Sequence, residues 1–171
     1  APVPPLRILP LGDSITESAA GRASYRFWLW QTLQSGGYCV DFVGTQRGVS
    51  GDAPLFPDFD QDHEGHTGFT ADAILARIFG WATETRPDVA LVHLGTNDLV
   101  FGQSVASTLV ELGAIVGQLR QVNPRVLVVL AQIVPARGID VWPLDAALPA
   151  LAATLATPDS QVVVADAFTG F

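Results

Sequence analysis

Short apolar runs recur along the chain and are separated by Gly, Pro and polar residues. Five of them, four to nine residues long, lie at residues 6–11, 40–43, 89–94, 126–134 and 162–165. Each run is short and bounded by turn residues, which predicts a buried β-strand. The run 126–134 is almost wholly apolar, so we expect this strand to be buried on both faces.

Between these runs the apolar positions follow helical spacing. Ser24 precedes a predicted helix over residues 25–34, Thr70 precedes a second, and the clearest pattern ends at Asn123-Pro124. Pro149 conflicts with a regular last helix unless it lies in the first turn. The apolar faces of the three later helices are Ile74, Leu75, Ile78 and Phe79; Val105, Leu109, Leu112, Val116 and Leu119; and Leu144, Leu148, Leu151 and Leu155.

Strands that alternate with helices predict an α/β fold, with residues 1–171 as a single domain. We expect a five-stranded parallel sheet with helices on both faces. The carboxyl ends of parallel strands meet at one rim of the sheet, and ligands bind outside that rim. Residues 44–68 are rich in Gly, Asp and Pro. They form a predicted loop, and a loop this long in a compact domain is usually functional.

The composition narrows the class of protein. Of 171 residues, 49% are hydrophobic and 15% are charged, which is typical of a globular chain. The net charge of −8 argues against a nucleic-acid partner and against an anionic membrane surface. The apolar runs are also too short to span a bilayer. The single cysteine, Cys39, allows no intrachain disulfide, and its place beside the run 40–43 predicts a buried thiol.

Three polar blocks follow predicted strands or loops, at residues 12–16, 65–70 and 95–98. Ser14 lies in the first block, Gly68 in the second and Asn97 in the third. A serine hydroxyl, a glycine amide and an asparagine amide are the groups that acyl transfer needs, one nucleophile and two oxyanion donors. Because the strand ends converge on one rim, we interpret Ser14 as the nucleophile rather than as a turn or capping serine. The neighbouring Asp13 is expected to order the loop.

Each oxyanion donor has an alternative interpretation. Gly68 could be a turn glycine with a positive φ angle, and residues 48–52 form a competing glycine block. We prefer Gly68 because a predicted helix follows it directly. Asn97 could tie down its own turn, but its place after a buried strand favours a side-chain donor to the oxyanion. Asp98 is expected to be structural.

The three histidines are poorly placed for catalysis or metal binding. His63 and His66 do not match the spacing H-E-x-x-H, and Gly65 interrupts any helix between them. His93 lies within a predicted strand and is expected to be a hydrogen-bonded core residue. The sequence therefore predicts no metal site and no cofactor.

Taken together, these blocks resemble the SGNH, or GDSL, hydrolase family. The chain is most similar to its acetylxylan-esterase branch, carbohydrate esterase family three. The resemblance is carried by residues 12–16, 24–26, 40–44, 63–70 and 92–98. It implies a flavodoxin-like three-layer αβα sandwich and metal-free removal of acetyl groups from sugar hydroxyls. It further implies Ser14 as nucleophile and the Ser14 amide, Gly68 and Asn97 as the oxyanion hole. Glu17 stands where the family often has a small residue.

The resemblance also implies a late Asp-x-x-His motif carrying the general base, and no such motif is present up to Phe171. The final helix of the fold is expected to be absent as well, which would expose apolar sheet surface. We therefore expect a second polypeptide, cut from the same precursor after Phe171, that stays bound and supplies the His and the Asp. The alternative is a non-catalytic carbohydrate-binding relic.

Substrate and location are also predicted. The polar, acidic loop before Gly68 offers no apolar trough for a lipid tail, which favours a short acyl group on a polysaccharide or a small ester. A lipase or thioesterase of the same family is the alternative. The start Ala1-Pro2-Val3-Pro4-Pro5 lacks an initiator Met. We interpret it as the mature end of a secreted protein after removal of a signal peptide; the alternative is a start chosen for expression.

Overall fold

The computed structural model describes residues 4–169. The first and last residues of the chain, including Ala1–Val3 of the N-terminal run and Phe171, lie outside this range. Seven strands and seven helices are present in the described part. The strands are β1 (Leu6–Gly12), β2 (Val40–Phe42), β3 (Gln46–Arg47), β4 (Asp62–Gly65), β5 (Val89–His93), β6 (Leu127–Ala131) and β7 (Val162–Ala165). The helices are α1 (Ser14–Glu17), α2 (Tyr25–Ser35), α3 (Ala71–Leu75), α4 (Ile78–Thr85), α5 (Thr96–Val100), α6 (Val105–Val122) and α7 (Trp142–Leu155).

The sheet is built around β1. On one side β1 pairs in parallel with β5, followed by β6 and β7. On its other side β1 pairs with β2 through its first half and with β4 through its last two residues, both in parallel. Strand β3 is antiparallel to β4. The five predicted strands are thus confirmed as a parallel set, and the sheet has two further short strands.

Helices lie on both faces of the sheet, which confirms the predicted αβα layers. Helices α3, α4, α6 and α7 pack on one face, where they share the larger core with inward residues of β1, β5 and β6. Leu29, Trp30 and Leu33 of α2 pack on the other face against the smaller core, which includes Ile8 and Phe42. The alternation of side chains along β1 explains this division, because successive residues point to opposite faces.

Several local predictions were wrong. Buried and half-buried residues alternate along β6, so only one of its faces is fully covered. The helix after Thr70 is two helices, α3 and α4, and Phe79 is exposed. Pro149 lies inside α7 rather than in its first turn, which removes one backbone hydrogen bond of that helix. Cys39 is exposed because it lies in the turn before β2. Within the described residues, none of the helices is long and apolar enough to cross a membrane.

The face of the sheet that α2 covers is partly open. Beyond α2 a cavity of about 1100 Å³ runs over β5, β6 and β7 and reaches Ser14. Its walls are mostly apolar, and they include Trp28, Leu29, Leu91, Val129, Ala131, Val134, Ala165 and Ala167. The apolar walls of this cavity come from α2 and the sheet, and not from the loop before Gly68.

Candidate functional site

Ser14 is the first residue of α1, directly after the carboxyl end of β1, and it is exposed. Asp13 is the N-cap of this short helix, and its Oδ1 accepts a hydrogen bond of 2.8 Å from the Ile15 amide. Asp13 itself is buried, and burial raises its pKa to about 6. Asp13 thus orders the turn that presents Ser14, in agreement with the role expected for it.

Two glycines allow α1 to lie close to the ends of the strands. A Cβ atom on Gly12 would come within 2.3 Å of Thr16 Oγ1 and 2.6 Å of the His93 carbonyl oxygen. A Cβ atom on Gly65 would come within 2.4 Å of the Glu17 backbone nitrogen. Both contacts are too short for any side chain, so the turn that carries Ser14 requires glycine in β1 and in β4.

The loop that contains Gly68 is attached to α1. The Glu17 carboxylate accepts two hydrogen bonds from Thr67, 2.8 Å from its amide and 2.6 Å from its hydroxyl. The His66 amide donates to the Gly12 carbonyl at 2.9 Å. Gly68 is exposed, with a φ angle of +82°, and the space beside its Cα is open. The left-handed conformation that the turn interpretation requires is therefore present, and it lies on an exposed residue.

Asn97 and Asp98 attach the third block to the same loop. Asn97 Nδ2 donates a hydrogen bond of 2.8 Å to the Phe69 carbonyl, so one of its two amide hydrogens is used to hold this loop. Asp98 is buried, which raises its pKa, and its two carboxylate oxygens accept from the Ala71 amide at 3.0 and 3.2 Å. Asp98 thus caps α3, whereas the Thr70 side chain makes no cap bond. A chain of hydrogen bonds now links all three blocks.

Arg26 is a buried residue whose role the sequence did not indicate. Its guanidinium donates to four backbone carbonyl groups, those of Thr16, Glu17, Gly48 and Gln61, at 2.6–3.0 Å. Burial lowers its pKa to about 10, so it remains charged at neutral pH. Arg26 stands beside Phe27 and Trp28 in α2. A single charged residue among aromatic ones was the only sequence feature that could have indicated this buried role.

Both His63 and His66 interact with other groups of the protein. His63 is buried, its Nδ1 accepts from the Gly65 amide at 2.9 Å, and burial and the nearby Arg26 lower its pKa to about 3. His66 Nε2 lies 2.6 Å from the buried Glu64 carboxylate, which also accepts two bonds from Thr45. The His66 ring stacks on Phe69 and Trp81. Among residues 4–169 no group of three or more His, Cys, Asp or Glu side chains could hold a metal ion.

His93 differs from its expected role as a hydrogen-bonded core residue. It is 6% exposed, and neither ring nitrogen has a partner among the described residues. Burial lowers its pKa to about 4, so the imidazole is neutral at pH 7. His93 is the last residue of β5 and lines the open cavity together with Ser14. A single histidine in an apolar run gives no sign of whether its nitrogens find partners.

Comparisons with known proteins agree with this architecture. The family model of GDSL-like lipases and acylhydrolases matches residues 11–170. A multidomain esterase of Ruminococcus flavefaciens is 32% identical over 57% of this chain, and this chain spans 15% of that protein.

Solved structures give the same result. A family 3 carbohydrate esterase from Talaromyces cellulolyticus superposes with a TM-score of 0.85 at 32% identity, covering 94% of this chain and 79% of that one. A family 3 carbohydrate esterase of Clostridium thermocellum gives a TM-score of 0.81 at 31% identity, with 94% and 77% coverage. A structure described as an acetyl esterase mutant with acetate ion gives 0.85 at 32% identity, with 94% and 79% coverage. The chain therefore belongs to the GDSL-like lipase and acylhydrolase family, and family 3 carbohydrate esterases are among its structural relatives.

Proposed function

We propose that this protein is a serine ester hydrolase that removes acetyl groups from carbohydrate, with acetylated xylan as the substrate. One observation carries the proposal. An exposed serine follows the central strand, and hydrogen bonds tie its helix to the Gly68 loop and that loop to Asn97. The family 3 carbohydrate esterases and the acetyl esterase among the structural relatives support the acetyl group and the sugar.

In this mechanism Ser14 Oγ attacks the ester carbonyl carbon while a general base takes its proton. The negative charge that develops on the carbonyl oxygen is stabilised by the amides of Ser14 and Gly68 and by the second Nδ2 hydrogen of Asn97. Collapse of the intermediate breaks the bond to the sugar oxygen, which leaves with the proton. A water molecule then gives a proton to the base and attacks the carbonyl carbon of the acyl-enzyme. Collapse of this second intermediate releases acetate and returns the proton to Ser14 Oγ. Removal of one such donor typically costs about 2.7–4 kcal/mol of transition-state stabilisation.

We propose that the general base comes from a segment other than the described residues 4–169. Two of the histidines are engaged by Gly65 and Glu64, and the third is a buried neutral imidazole in the sheet. The open apolar face beside Ser14 supports a docked segment, because a surface of this kind marks an interaction site. We propose that this segment packs on the open face and brings a His and an Asp to Ser14.

The test of Ser14 uses a preparation that contains the general base. A fluorophosphonate probe should label Ser14, and Ser14→Ala should lose both the label and nearly all acetyl-esterase activity. Ser50→Ala is a matched control, since Ser50 lines the same cavity and lies in the competing glycine block. Labelling of Ser50 instead of Ser14 would overturn the assignment.

The test of the docked segment is intact-mass analysis of the native protein. Peptide sequencing of the same sample should show an Asp-x-x-His sequence in the protein, whether in the same polypeptide or in a bound one. The 171 residues alone should keep only the residual acceleration of triad-depleted enzymes, about 10³–10⁴-fold over water. A full enzymatic rate from these residues alone would refute the proposal. If the native protein with its complete sequence neither hydrolyses esters nor reacts with the probe, the binding-relic alternative holds.

A lipase or thioesterase remains a second candidate, favoured by the apolar walls of the cavity beside Ser14. A series of esters from acetyl to octanoyl separates the two, because each methylene in an acyl pocket is worth about 1–3 kcal/mol. The proposed activity predicts kcat/KM that falls from acetyl onward. A kcat/KM that rises with chain length would assign the cavity to a fatty acyl chain.

A further inference from the structure

Glu17 makes a contact between two parts of the site, and the acyl-transfer reaction itself does not require this contact. One of its carboxylate oxygens, Oε2, accepts both the amide and the hydroxyl of Thr67. The two residues are 50 positions apart in the sequence. One lies on the helix that begins with Ser14, and the other immediately precedes Gly68. The contact therefore joins the nucleophile helix directly to the glycine loop.

The position of Glu17 does not depend on this contact. Its amide donates to the Asp13 carbonyl at 3.0 Å, and its carbonyl accepts from Arg26 at 3.0 Å. The backbone of α1 is therefore held by its cap and by Arg26, and it lies against the bare Cα of Gly65. Loss of the Glu17 side chain should leave Ser14 in place.

The glycine loop, in contrast, is held at its two ends. The His66 amide is bonded to Gly12, and the Phe69 carbonyl is bonded to Asn97. Between these ends Thr67 and Gly68 are exposed, and a Cβ atom on Gly68 would meet nothing within 4 Å. Packing therefore does little to orient the Gly68 amide, and the hydrogen bonds of Thr67 to Glu17 restrain the loop next to it.

We propose that Glu17 is a positioning residue, whose carboxylate sets the direction of the Gly68 amide relative to Ser14 by holding Thr67. This inference rests on the proposed function and deepens it. The Glu17 side chain suits the task because one of its oxygens has two lone pairs and can accept two donors at once. Glutamine keeps the acceptor oxygen at the same reach, whereas alanine removes it.

The experiment compares Glu17→Ala and Glu17→Gln in the native protein with its general base. Because a misplacement of about 1 Å can cost 10²-fold in rate, Glu17→Ala should lower kcat by about 10- to 100-fold with little change in KM. Glu17→Gln should restore most of that loss. Glu84→Ala is the control for loss of a carboxylate at an exposed helix position, and it should keep the parental kcat.

Amide hydrogen exchange at Thr67 supplies a readout that does not depend on activity. Exchange at this amide should be at least about tenfold faster in Glu17→Ala, because its acceptor is gone, and near the parental rate in Glu17→Gln. Unchanged exchange and unchanged kcat in Glu17→Ala would overturn the inference. Equal losses of kcat in both variants would also overturn it, since the charge and not the held loop would then matter. If Ser14→Ala keeps full activity, the proposed function fails, while the exchange data still decide whether Glu17 holds the loop.

Discussion

Arg26 offers the most direct test of how the site is assembled. Its guanidinium is fully buried and donates to carbonyl groups from three separate segments, at Thr16 and Glu17, at Gly48 and at Gln61. These segments are helix α1, which begins with Ser14, and two parts of the chain between β2 and β4. Arg26→Ala would remove all four hydrogen bonds and leave the carbonyl groups without their donor.

The magnitude follows from the type of bond. A hydrogen bond to a charged group contributes about 1.5–3 kcal/mol, so four of them set an upper limit of about 6–12 kcal/mol. Water can enter the space that the side chain leaves, and the loop can relax. A buried carbonyl group that loses its donor costs about 1–3 kcal/mol, and with part of the four regained by water we expect Arg26→Ala to cost about 3–5 kcal/mol. For a domain of this size the melting temperature should fall by roughly 6–20 °C.

The assay is urea unfolding at pH 7 followed by circular dichroism, with calorimetry for the melting temperature. Arg26→Lys should lie between the parent and Arg26→Ala, because an ammonium has only three donors and no planar fork. Arg125→Ala is the control, since Arg125 is exposed and surface changes are usually within about 0.5 kcal/mol. A loss below about 1 kcal/mol in Arg26→Ala would refute the argument that Arg26 ties these segments together.

Three further predictions concern the same region. The raised pKa of Asp13 means that its carboxyl group binds a proton more tightly in the folded protein than in the unfolded chain. Protonation of Asp13 therefore adds to the free energy of unfolding at low pH, and this addition is lost as the pH rises from about 4 through 6. Asp13→Asn should therefore match the parent near pH 4 and gain about 1–3 kcal/mol in unfolding free energy at pH 7; a gain that does not change with pH would contradict this. Gly65→Ala should cost about 1–3 kcal/mol in the same urea assay, because its Cβ would meet the Glu17 backbone, whereas Gly117→Ala, in a helix with open space, should stabilise by about 0.5–1 kcal/mol. EDTA should leave esterase activity unchanged, and inhibition that added zinc reverses would point to a metal site.

The parallel sheet could be predicted because its signals are local. Each of the five strands is an apolar run bounded by turn residues, and every observed strand end lies within three residues of its predicted position. Strands β3 and β4 could not be predicted in the same way. β4 is Asp62–Gly65, a polar and buried segment, and its pairing with β1 and β3 is decided by residues far away in the sequence.

For the candidate site, the sequence by itself determined the residue types and their placement after strands. Ser14, Gly68 and Asn97 were predicted as site residues in this way, since a parallel sheet brings the ends of its strands to one rim. Only the tertiary structure decided what holds them there. The sequence indicated no contact for Arg26 or Glu17, and it predicted His93 as a hydrogen-bonded core residue. Their roles depend on whether a partner is present in three dimensions. Contacts between distant segments decide which side chains find hydrogen-bond partners and which sheet faces stay uncovered. The hydrophobic periodicity of the sequence does not reveal those contacts.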